Sequence, residues 1–280
     1  GFDEVHYVHE PVAAAFWFAR GLKRDATVLV ADFGGGTSDF SVVRFTVGAD
    51  GVHAHPLAQT GVGVAGDGFD YRIIDRVISP HLGKGSRYKS FGKWLDVPTH
   101  YFADFARWNR LAIMKTGETL RELGRLAGAA EDPTGLERLI EVIEEDLGYP
   151  LYRAVSEVKT ALSSAEEARL VFRHADIVIE ETVRRADFET WIADDLEKIR
   201  LSFEQALERA GISEREVDRV FLTGGTSFVP AVRRLFETRF GAERLETGDQ
   251  LLSIAYGLAL IGAEEDVGRW TVREGAPRAG

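Results

Sequence analysis

Residues 27–39 read TVLVADFGGGTSD, and this stretch decides the fold. The apolar run 27–31 is typical of a buried strand, and three glycines follow it at Gly34, Gly35 and Gly36. Because glycine has no side chain, its backbone reaches otherwise costly dihedral angles and comes close to a ligand. Successive N–H groups in such a turn form an anion-binding nest. The stretch predicts a phosphate-binding turn at a strand end, with an ordinary glycine-rich hairpin as the alternative.

Polar side chains flank the three glycines. Thr37 adds a hydroxyl donor directly after them, and Asp32 and Asp39 stand on either side. A carboxylate at such a position holds a water molecule or a cation that screens phosphate charge. We therefore expect Asp32 and Asp39 to serve the same site as the glycines.

A second glycine turn occurs near the end of the chain, in Thr223-Gly224-Gly225-Thr226. It follows an apparent strand at 219–222 and precedes a predicted helix at 230–240. A helix N-terminus and an open backbone favour a phosphate or a ribose. An ordinary strand-to-helix turn is the alternative, but two glycine turns at strand ends strengthen each other as a prediction.

The order of predicted elements indicates an α/β fold with an insertion. Residues 25–78 and 187–263 carry the α/β pattern, whereas 79–186 is mostly helical and ends in two apparent strands. Domain insertions are tolerated when their ends lie close together. Residues 1–24 contain a predicted helix from another part of a larger fold. Residues 264–280 show no periodic pattern of apolar residues, so we expect them to form a flexible tail.

Composition excludes several classes of protein. The 280 residues contain no cysteine, which rules out disulfides and thiol catalysis, and the net charge of -11 disfavours binding to nucleic acid or an anionic membrane. The mean hydropathy is -0.13. No signal peptide is evident, and we expect a cytoplasmic protein. The chain starts at Gly1 and its only methionine is Met114, so we expect a piece of a longer protein.

Two further elements carry weight only in combination. Glu10-Pro11 opens a predicted helix, where an acid stabilises the helix dipole, and Lys159 to Ser164 ends another. Each one alone reads as an ordinary helix end.

Taken together, the motifs resemble the DnaK-like (heat-shock-70) chaperone family, and most closely its shortened bacterial members of the YegD type. The resemblance is collinear from Gly1 to about Ala263. Glu10-Pro11 resembles the family's glutamate-proline helix, and Asp32 to Asp39 its second phosphate loop. Ala65 to Asp70 resembles its Phe-Asp segment, and Lys159 to Ser164 its nucleoside helix. Arg185 to Glu189 resembles its return helix, and Gly224 to Pro230 its adenosine loop.

The resemblance implies an actin-like ATPase (ribonuclease H-like) fold that holds ATP or ADP with Mg²⁺ between two lobes. Residues 25–78 and 187–263 would form one subdomain of the second lobe, and 79–186 the inserted one. The residues that would bind the β- and γ-phosphates are Gly34, Gly35, Gly36 and Thr37. Those that would order metal and attacking water are Asp32, Asp39 and Glu10, with Asp32 and Glu10 as metal ligands. Lys159 and Ser163 would contact the nucleoside, and Gly224 and Gly225 the ribose and α-phosphate.

Several positions depart from the family pattern. Ser156 stands where the family usually has a ribose-binding glutamate. Phe228 replaces an arginine that covers the adenine, although a phenylalanine can still stack on a base. The family has an acid before its last helix, and Asp249 corresponds to that acid only with a shift of register. The first phosphate loop and the catalytic lysine are not among these 280 residues, so we expect no ATP hydrolysis from this chain alone.

Other interpretations stay open at this point. One is a sugar-kinase-type phosphotransferase of the same superfamily, and another is a non-catalytic interaction module that has lost nucleotide binding. Co-chaperones or a client protein are the partners that the resemblance implies. His53 and His55 share a strand face, which favours solvent exposure over a metal site. The aromatic run from Tyr88 to Trp108 predicts a core for the inserted segment, with a partner-docking patch as the alternative.

Overall fold

The computed structural model describes residues 5–8, 10–49, 51–246, 253–263 and 267–271. The strands within these ranges are β1 (Ala26–Phe33), β2 (Ser38–Gly48), β3 (Gly51–Val62), β4 (Arg87–Ser90), β5 (Lys93–Asp96), β6 (Glu167–His174), β7 (Ile177–Arg184), β8 (Arg219–Thr223) and β9 (Leu245–Glu246).

The α-helices are α1 (Glu10–Arg20), α2 (Gly66–Ile73), α3 (His100–Phe105), α4 (Trp108–Met114), α5 (Gly117–Ala129), α6 (Thr134–Glu144), α7 (Gly148–Ala161), α8 (Arg185–Trp191), α9 (Ala193–Ala210), α10 (Pro230–Phe240) and α11 (Ser253–Gly262). Shorter helical turns are the π-turn Ile74–Ile78 and the 3₁₀ turns Ser79–Leu82, Glu214–Glu216, Gly225–Phe228, Ala242–Arg244 and Val267–Arg269.

The chain divides into two compact units. The first consists of Gly1–Gly66 and Asp195–Gly280, and the second of Asp67–Asp194. The sequence pattern instead predicts that the boundaries of the inserted segment lie at 78/79 and 186/187. The difference arises because α2 packs with the inserted segment: Phe69 makes an edge contact with Phe188, their ring centroids 6.1 Å apart.

The first unit is built on a five-stranded mixed sheet in the order β3-β2-β1-β8-β9. Strands β1, β8 and β9 are parallel, whereas β2 and β3 are antiparallel to their neighbours. Seven of the eight residues of β1 are buried. A strand covered on both faces requires an apolar run rather than an alternating pattern, which is why 27–31 is continuously apolar.

Helices cover each face of this sheet. On one face Val28 and Val30 pack in a cluster with Phe16 of α1 and Ile261 of α11. On the other face a group of phenylalanines from β1, β2, α9 and α10 pack against one another, namely Phe33, Phe40, Phe203, Phe236 and Phe240. Helix α1, assigned by sequence to another part of a larger fold, thus contributes to the core of the first unit.

The expected flexible tail needs a correction over Val267–Thr271. Val267–Arg269 form a 3₁₀ turn, and Thr271 forms a bridge with Val8. Trp270 between them is buried and meets Phe16 edge-on, with 4.8 Å between ring centroids. A single tryptophan buries enough area to fix a short segment, but it produces no periodic pattern that a sequence reading detects.

The second unit is mostly helical, with two separate two-stranded hairpins, β4-β5 and β6-β7. The strands expected near 168–172 and 177–183 are confirmed as β6 and β7.

The aromatic run from Tyr88 to Trp108 is only partly the core that its sequence predicts. Tyr101, Phe102 and Phe105 are buried, but Phe91, Trp94 and Trp108 are exposed. Phe91 lies in the turn of the β4-β5 hairpin and Trp94 on β5, and a two-stranded hairpin has no second layer to bury such side chains.

Candidate functional site

The ends of two parallel strands meet at one edge of the first unit. Asp32 near the end of β1 pairs in register with Asp39 at the start of β2 and with Thr223 at the end of β8. The hydroxyl of Thr223 donates a hydrogen bond of 2.5 Å to Oδ1 of Asp32. Both glycine turns therefore leave the sheet at the same edge, side by side.

The first glycine turn (34–37) is open. The N–H of Gly34 donates to the carbonyl of Thr37 at 2.9 Å, and the hydroxyl of Thr37 donates to Oδ2 of Asp39 at 3.0 Å. Gly34, Gly35 and Gly36 are exposed. The N–H groups of Gly35 and Gly36 donate to no protein acceptor within the described ranges. Two exposed donors without a protein partner are what an anion-binding turn requires.

The backbone conformation of this turn differs from the one that we expected. We expected the three glycines to adopt dihedral angles that other residues avoid, but none of them is among the glycines with positive φ. The missing side chains therefore matter for access to the backbone rather than for its conformation.

The second glycine turn (224–225) depends on glycine for its conformation. Gly224 has φ 81° and ψ 157°, a region that essentially only glycine occupies. A Cβ atom on it would lie 1.9 Å from the carbonyl oxygen of Phe33. Gly225 is exposed, and nothing lies within 4 Å of a Cβ built there. Gly224 thus holds the second turn against the end of β1, whereas Gly225 faces open space.

A cavity of about 100 Å³ lies next to the two turns in the first unit. Its lining residues are Glu10, Pro11, Ala14, Val30, Asp32, Asp39, Ser41, Gln59 and Thr223. Three of them are carboxylates, Glu10, Asp32 and Asp39, which we call the acid cluster. Glu10 comes from the first turn of α1, so the Glu-Pro helix start brings its acid to the strand ends.

Electrostatics in the acid cluster favour a bound cation. Loss of hydration, followed by the negative charges of Asp32 and Asp39, raises the pKa of Glu10. A cation in the cavity would relieve this repulsion, so the cluster fits the Mg²⁺ ion of a nucleotide complex.

Direct ligation of one ion by all three carboxylates does not fit. In the described part of the chain, the only three His, Asp or Glu side chains whose ligand atoms all lie within 4.8 Å of one another are Glu141, Glu145 and His174. Mg²⁺ usually keeps several waters and binds one or two carboxylates. The wider spacing of the acid cluster suits that mode.

The other predicted nucleotide contacts are divided between the units. Lys159 and Ser163 belong to the second unit, and Phe228 belongs to the first, where it is 59% exposed. The ammonium of Lys159 lies 2.9 Å from Oδ2 of Asp70, and both side chains are mostly buried. Its charge is therefore already balanced by an acid.

Sequence reasoning missed two polar partners. In the sequence Thr223 belongs to a glycine turn, yet its hydroxyl bonds Asp32. Asp70 belongs to the Phe-Asp segment, yet it pairs with Lys159. The strand order could have found Thr223, because parallel neighbours end at the same edge. No local signal points to Asp70, which is 89 residues from its partner.

A search of the described helices for one long and apolar enough to cross a lipid bilayer finds none.

Comparison with known proteins identifies relatives along most of the chain. The profile of the Hsp70 protein family matches residues 1–85 and 144–268. The chaperone protein DnaK of Deinococcus proteolyticus is 27% identical over 260 residues, which cover 93% of this chain and 34% of that protein.

Similar values hold for two relatives from other lineages. Chaperone protein dnaK of Cyanidioschyzon merolae is 26% identical over 260 residues, covering 93% of this chain and 35% of its own. The chloroplastic stromal 70 kDa heat shock-related protein of Pisum sativum is 27% identical over 260 residues, which cover 93% of this chain and 30% of that protein. The chain thus spans about a third of the length of these curated relatives. The chain belongs to the Hsp70 family, whose ATPase domain has the actin-like fold.

Proposed function

We propose that the first unit binds the phosphates of ATP or ADP together with Mg²⁺. The observation that carries this proposal is the meeting of two glycine turns and the acid cluster at one sheet edge, with Asp32 in register with both Asp39 and Thr223. Exposed N–H groups would neutralise phosphate oxygens, while the acids would hold the counter-ion.

The phosphate-binding residues are Gly34, Gly35, Gly36 and Thr37, on this proposal. Glu10 and Asp32 hold Mg²⁺, and the ion supplies charge neutralisation of the phosphates. Asp39 orders water, and its position is fixed by the hydroxyl of Thr37.

The nucleoside would be held less tightly than the phosphates. Gly224 and Gly225 contact ribose and α-phosphate, Phe228 stacks on the base, and Lys159 and Ser163 approach the nucleoside. Lys159 already pairs with Asp70, so it adds little net charge. Phe228 is exposed and brings an aromatic face. We expect affinity to depend more on phosphate than on base.

The 280-residue chain binds nucleotide without hydrolysing it. Phosphoryl transfer depends on positioning and charge stabilisation from both sides of the cleft. Loss of one fixed donor already costs on the order of 10²- to 10³-fold in rate. In the whole protein, we propose that Asp32, Asp39 and Glu10 take part in an ATPase cycle that drives a cytoplasmic chaperone acting with co-chaperones and clients.

Calorimetry of the 280-residue chain with MgATP and MgADP tests the binding. Gly35→Glu places a carboxylate on the open turn and should abolish binding, because it repels phosphate and blocks the N–H groups. Gly128→Glu is the matched control: it adds the same charge in the second unit, where nothing lies within 4 Å of the new Cβ. Equal binding by both variants would refute the assignment of the first turn. Phosphate release by the purified chain above a no-enzyme blank would refute the absence of hydrolysis.

Two observations favour a second candidate, a non-catalytic interaction module. Ser156 lacks a carboxylate for ribose, and Lys159 is held by an acid. A flat calorimetric trace for MgATP with the full-length protein would favour the module. Substrate-dependent ADP formation by the full-length protein would instead point to a sugar-kinase-type activity.

A further inference from the structure

The second unit contains a cavity of about 490 Å³ that the nucleotide proposal does not use. The residues lining it come from α2, α4 and α7, and are Asp67, Asp70, Trp108, Leu111, Gly148, Tyr149, Tyr152, Arg153 and Ser156. We call it the aromatic cavity. Its size suits a small ligand or a single protruding side chain.

The aromatic cavity depends on a segment that the Hsp70 profile does not match. Trp108 and Leu111 lie on α4, inside the unmatched stretch 86–143, whereas α7 lies in the matched part. Gly148 lets these two helices approach, since a Cβ there would lie 2.0 Å from Cδ2 of Leu111. The cavity is therefore lined partly by residues outside the part of the chain that the Hsp70 profile matches.

Two carboxylates stand at one side of the cavity. Asp67 accepts a hydrogen bond of 2.9 Å from the indole N–H of Trp108. Asp70 uses Oδ2 for Lys159, while its buried Oδ1 has no hydrogen-bond partner within the described ranges. A buried acceptor without a donor is unfavourable, so a ligand that brings an N–H group would gain by supplying one.

The local field in the cavity is negative. Burial, followed by the charges of Asp70 and Asp67, raises the pKa of Tyr152, and the guanidinium of Arg107 opposes this shift only in part. Arg153 is the only cation among the described residues that line the cavity, and it lies 2.9 Å from Glu157 on the same helix, so these two charges balance. Lys159 balances Asp70, and Asp67 lies beside the indole N–H of Trp108.

Three aromatic side chains, Trp108, Tyr149 and Tyr152, contribute to the lining. Trp108 is 61% exposed and Tyr149 is 79% exposed, so both rings are accessible. The hydroxyl of Tyr152 donates to the carbonyl of Phe105 at 2.6 Å, which fixes the position of its ring. Faces of such rings attract a cation, most strongly where water is partly excluded.

We propose that the aromatic cavity binds an organic cation, an alkylammonium or alkylguanidinium group, between the aromatic rings and the carboxylates of Asp67 and Asp70. The rings contact the alkyl groups and the face of the cation, and the carboxylates accept its N–H groups. A phosphate or carboxylate ligand is disfavoured by the same acids. The cation belongs either to a free metabolite or to the side chain of a lysine or arginine in a protein. Both sources present the same alkylammonium or alkylguanidinium group.

Titration of the 280-residue chain with butylguanidinium and butylammonium, followed by ligand-observed NMR, tests the proposal. The neutral reference compound is pentanol, which has an alkyl chain of similar length but no charge. Each cation should saturate with a Kd on the order of 1 mM, and pentanol should bind at least about ten-fold more weakly. A second arm compares free arginine amide with a short peptide that contains one arginine; tighter binding of the peptide identifies a protein side chain as the source.

Two variants address the two parts of the site. Asp67→Asn removes one charge but keeps an acceptor for Trp108, and should weaken cation binding about ten-fold. Tyr149→Leu removes an exposed ring and should weaken it about three-fold to ten-fold. The controls are Asp176→Asn and Phe91→Leu, which remove an exposed acid and an exposed ring outside the cavity lining. Neither control should change the Kd.

Three results would overturn the proposal. The first is equal affinity for pentanol and the cations, which would make the cavity merely apolar. The second is an unchanged Kd in Asp67→Asn. The third is tighter saturation by adenosine that is lost in Tyr149→Leu, which would make the cavity a nucleoside site.

Discussion

Replacing Gly224 by alanine should destabilise the first unit far more than the same change at its neighbour Gly225. At φ 81° and ψ 157°, a residue with a Cβ is strained by about 1–3 kcal/mol. The Cβ would also stand 1.9 Å from the carbonyl oxygen of Phe33, and relieving such a contact by backbone movement costs about 1–3 kcal/mol more. Alanine lowers the entropy of the unfolded chain, which returns about 0.4–1 kcal/mol. The expected loss for Gly224→Ala is therefore about 1–6 kcal/mol.

Gly225→Ala is the matched control. A Cβ there meets nothing within 4 Å, and the φ of Gly225 is not positive. The change should alter stability by no more than about 1 kcal/mol in either direction. Urea-induced unfolding followed by far-UV circular dichroism gives both differences from the shift in midpoint. Hydrogen exchange of β1 and β8 then locates the loss, because those two strands carry the contact.

Equal midpoints for the two alanine variants would refute the reasoning. That outcome would mean that the second glycine turn does not press against the end of β1. A loss in Gly224→Ala that appears in the exchange of the second unit, with β1 and β8 still protected, would contradict it as well.

Three further changes test other parts of the structure. Because the pKa of Glu10 is raised above its ordinary value of 4.5, the folded state holds that proton more tightly than the unfolded chain, and ionised Glu10 lowers stability. Glu10→Gln should therefore raise the urea midpoint at neutral pH, and the gain should vanish as pH falls below the ordinary pKa. Lys159→Met leaves the carboxylate of Asp70 without its cation and should lower the free energy of urea unfolding by about 3 kcal/mol. The double variant Lys159→Met with Asp70→Leu should recover most of this loss, and no recovery would contradict the ion pair. Trp270→Ala should cost about 3 kcal/mol, measured by thermal unfolding, against less than about 1 kcal/mol for exposed Trp94→Ala, and equal losses would mean that Trp270 is not buried.

Local chemistry explains why much of the fold could be predicted. The apolar run at 27–31 and the three glycines after it are sufficient to indicate a buried strand and an open turn. The same logic applies to the strand and turn at 219–225. Such patterns reflect neighbours within a few residues, and burial on both faces leaves a readable apolar run. Strands β6 and β7 were also predicted from local sequence, although their buried and exposed positions alternate.

Long-range packing explains what could not be predicted. The aromatic run from Tyr88 to Trp108 contains buried and exposed rings that look alike in sequence, because only the surrounding layers decide which rings are covered. Trp270 produces no period, and its burial depends on a distant helix. The boundary at Asp67 follows from Phe69 packing on Phe188, a contact between segments that are far apart in the sequence.

The sequence by itself determined the glycine turns, the strands that lead into them, the acids beside them and the family resemblance, since each of these is written in adjacent residues. Only the tertiary structure decided that Thr223 would bond Asp32 across 191 residues, that Lys159 would pair with Asp70, and that α4 would enclose a cavity against α7. The physical reason is that propensities and turn chemistry act over a few residues, whereas hydrogen bonds and ion pairs between distant segments exist only after the hydrophobic faces have packed.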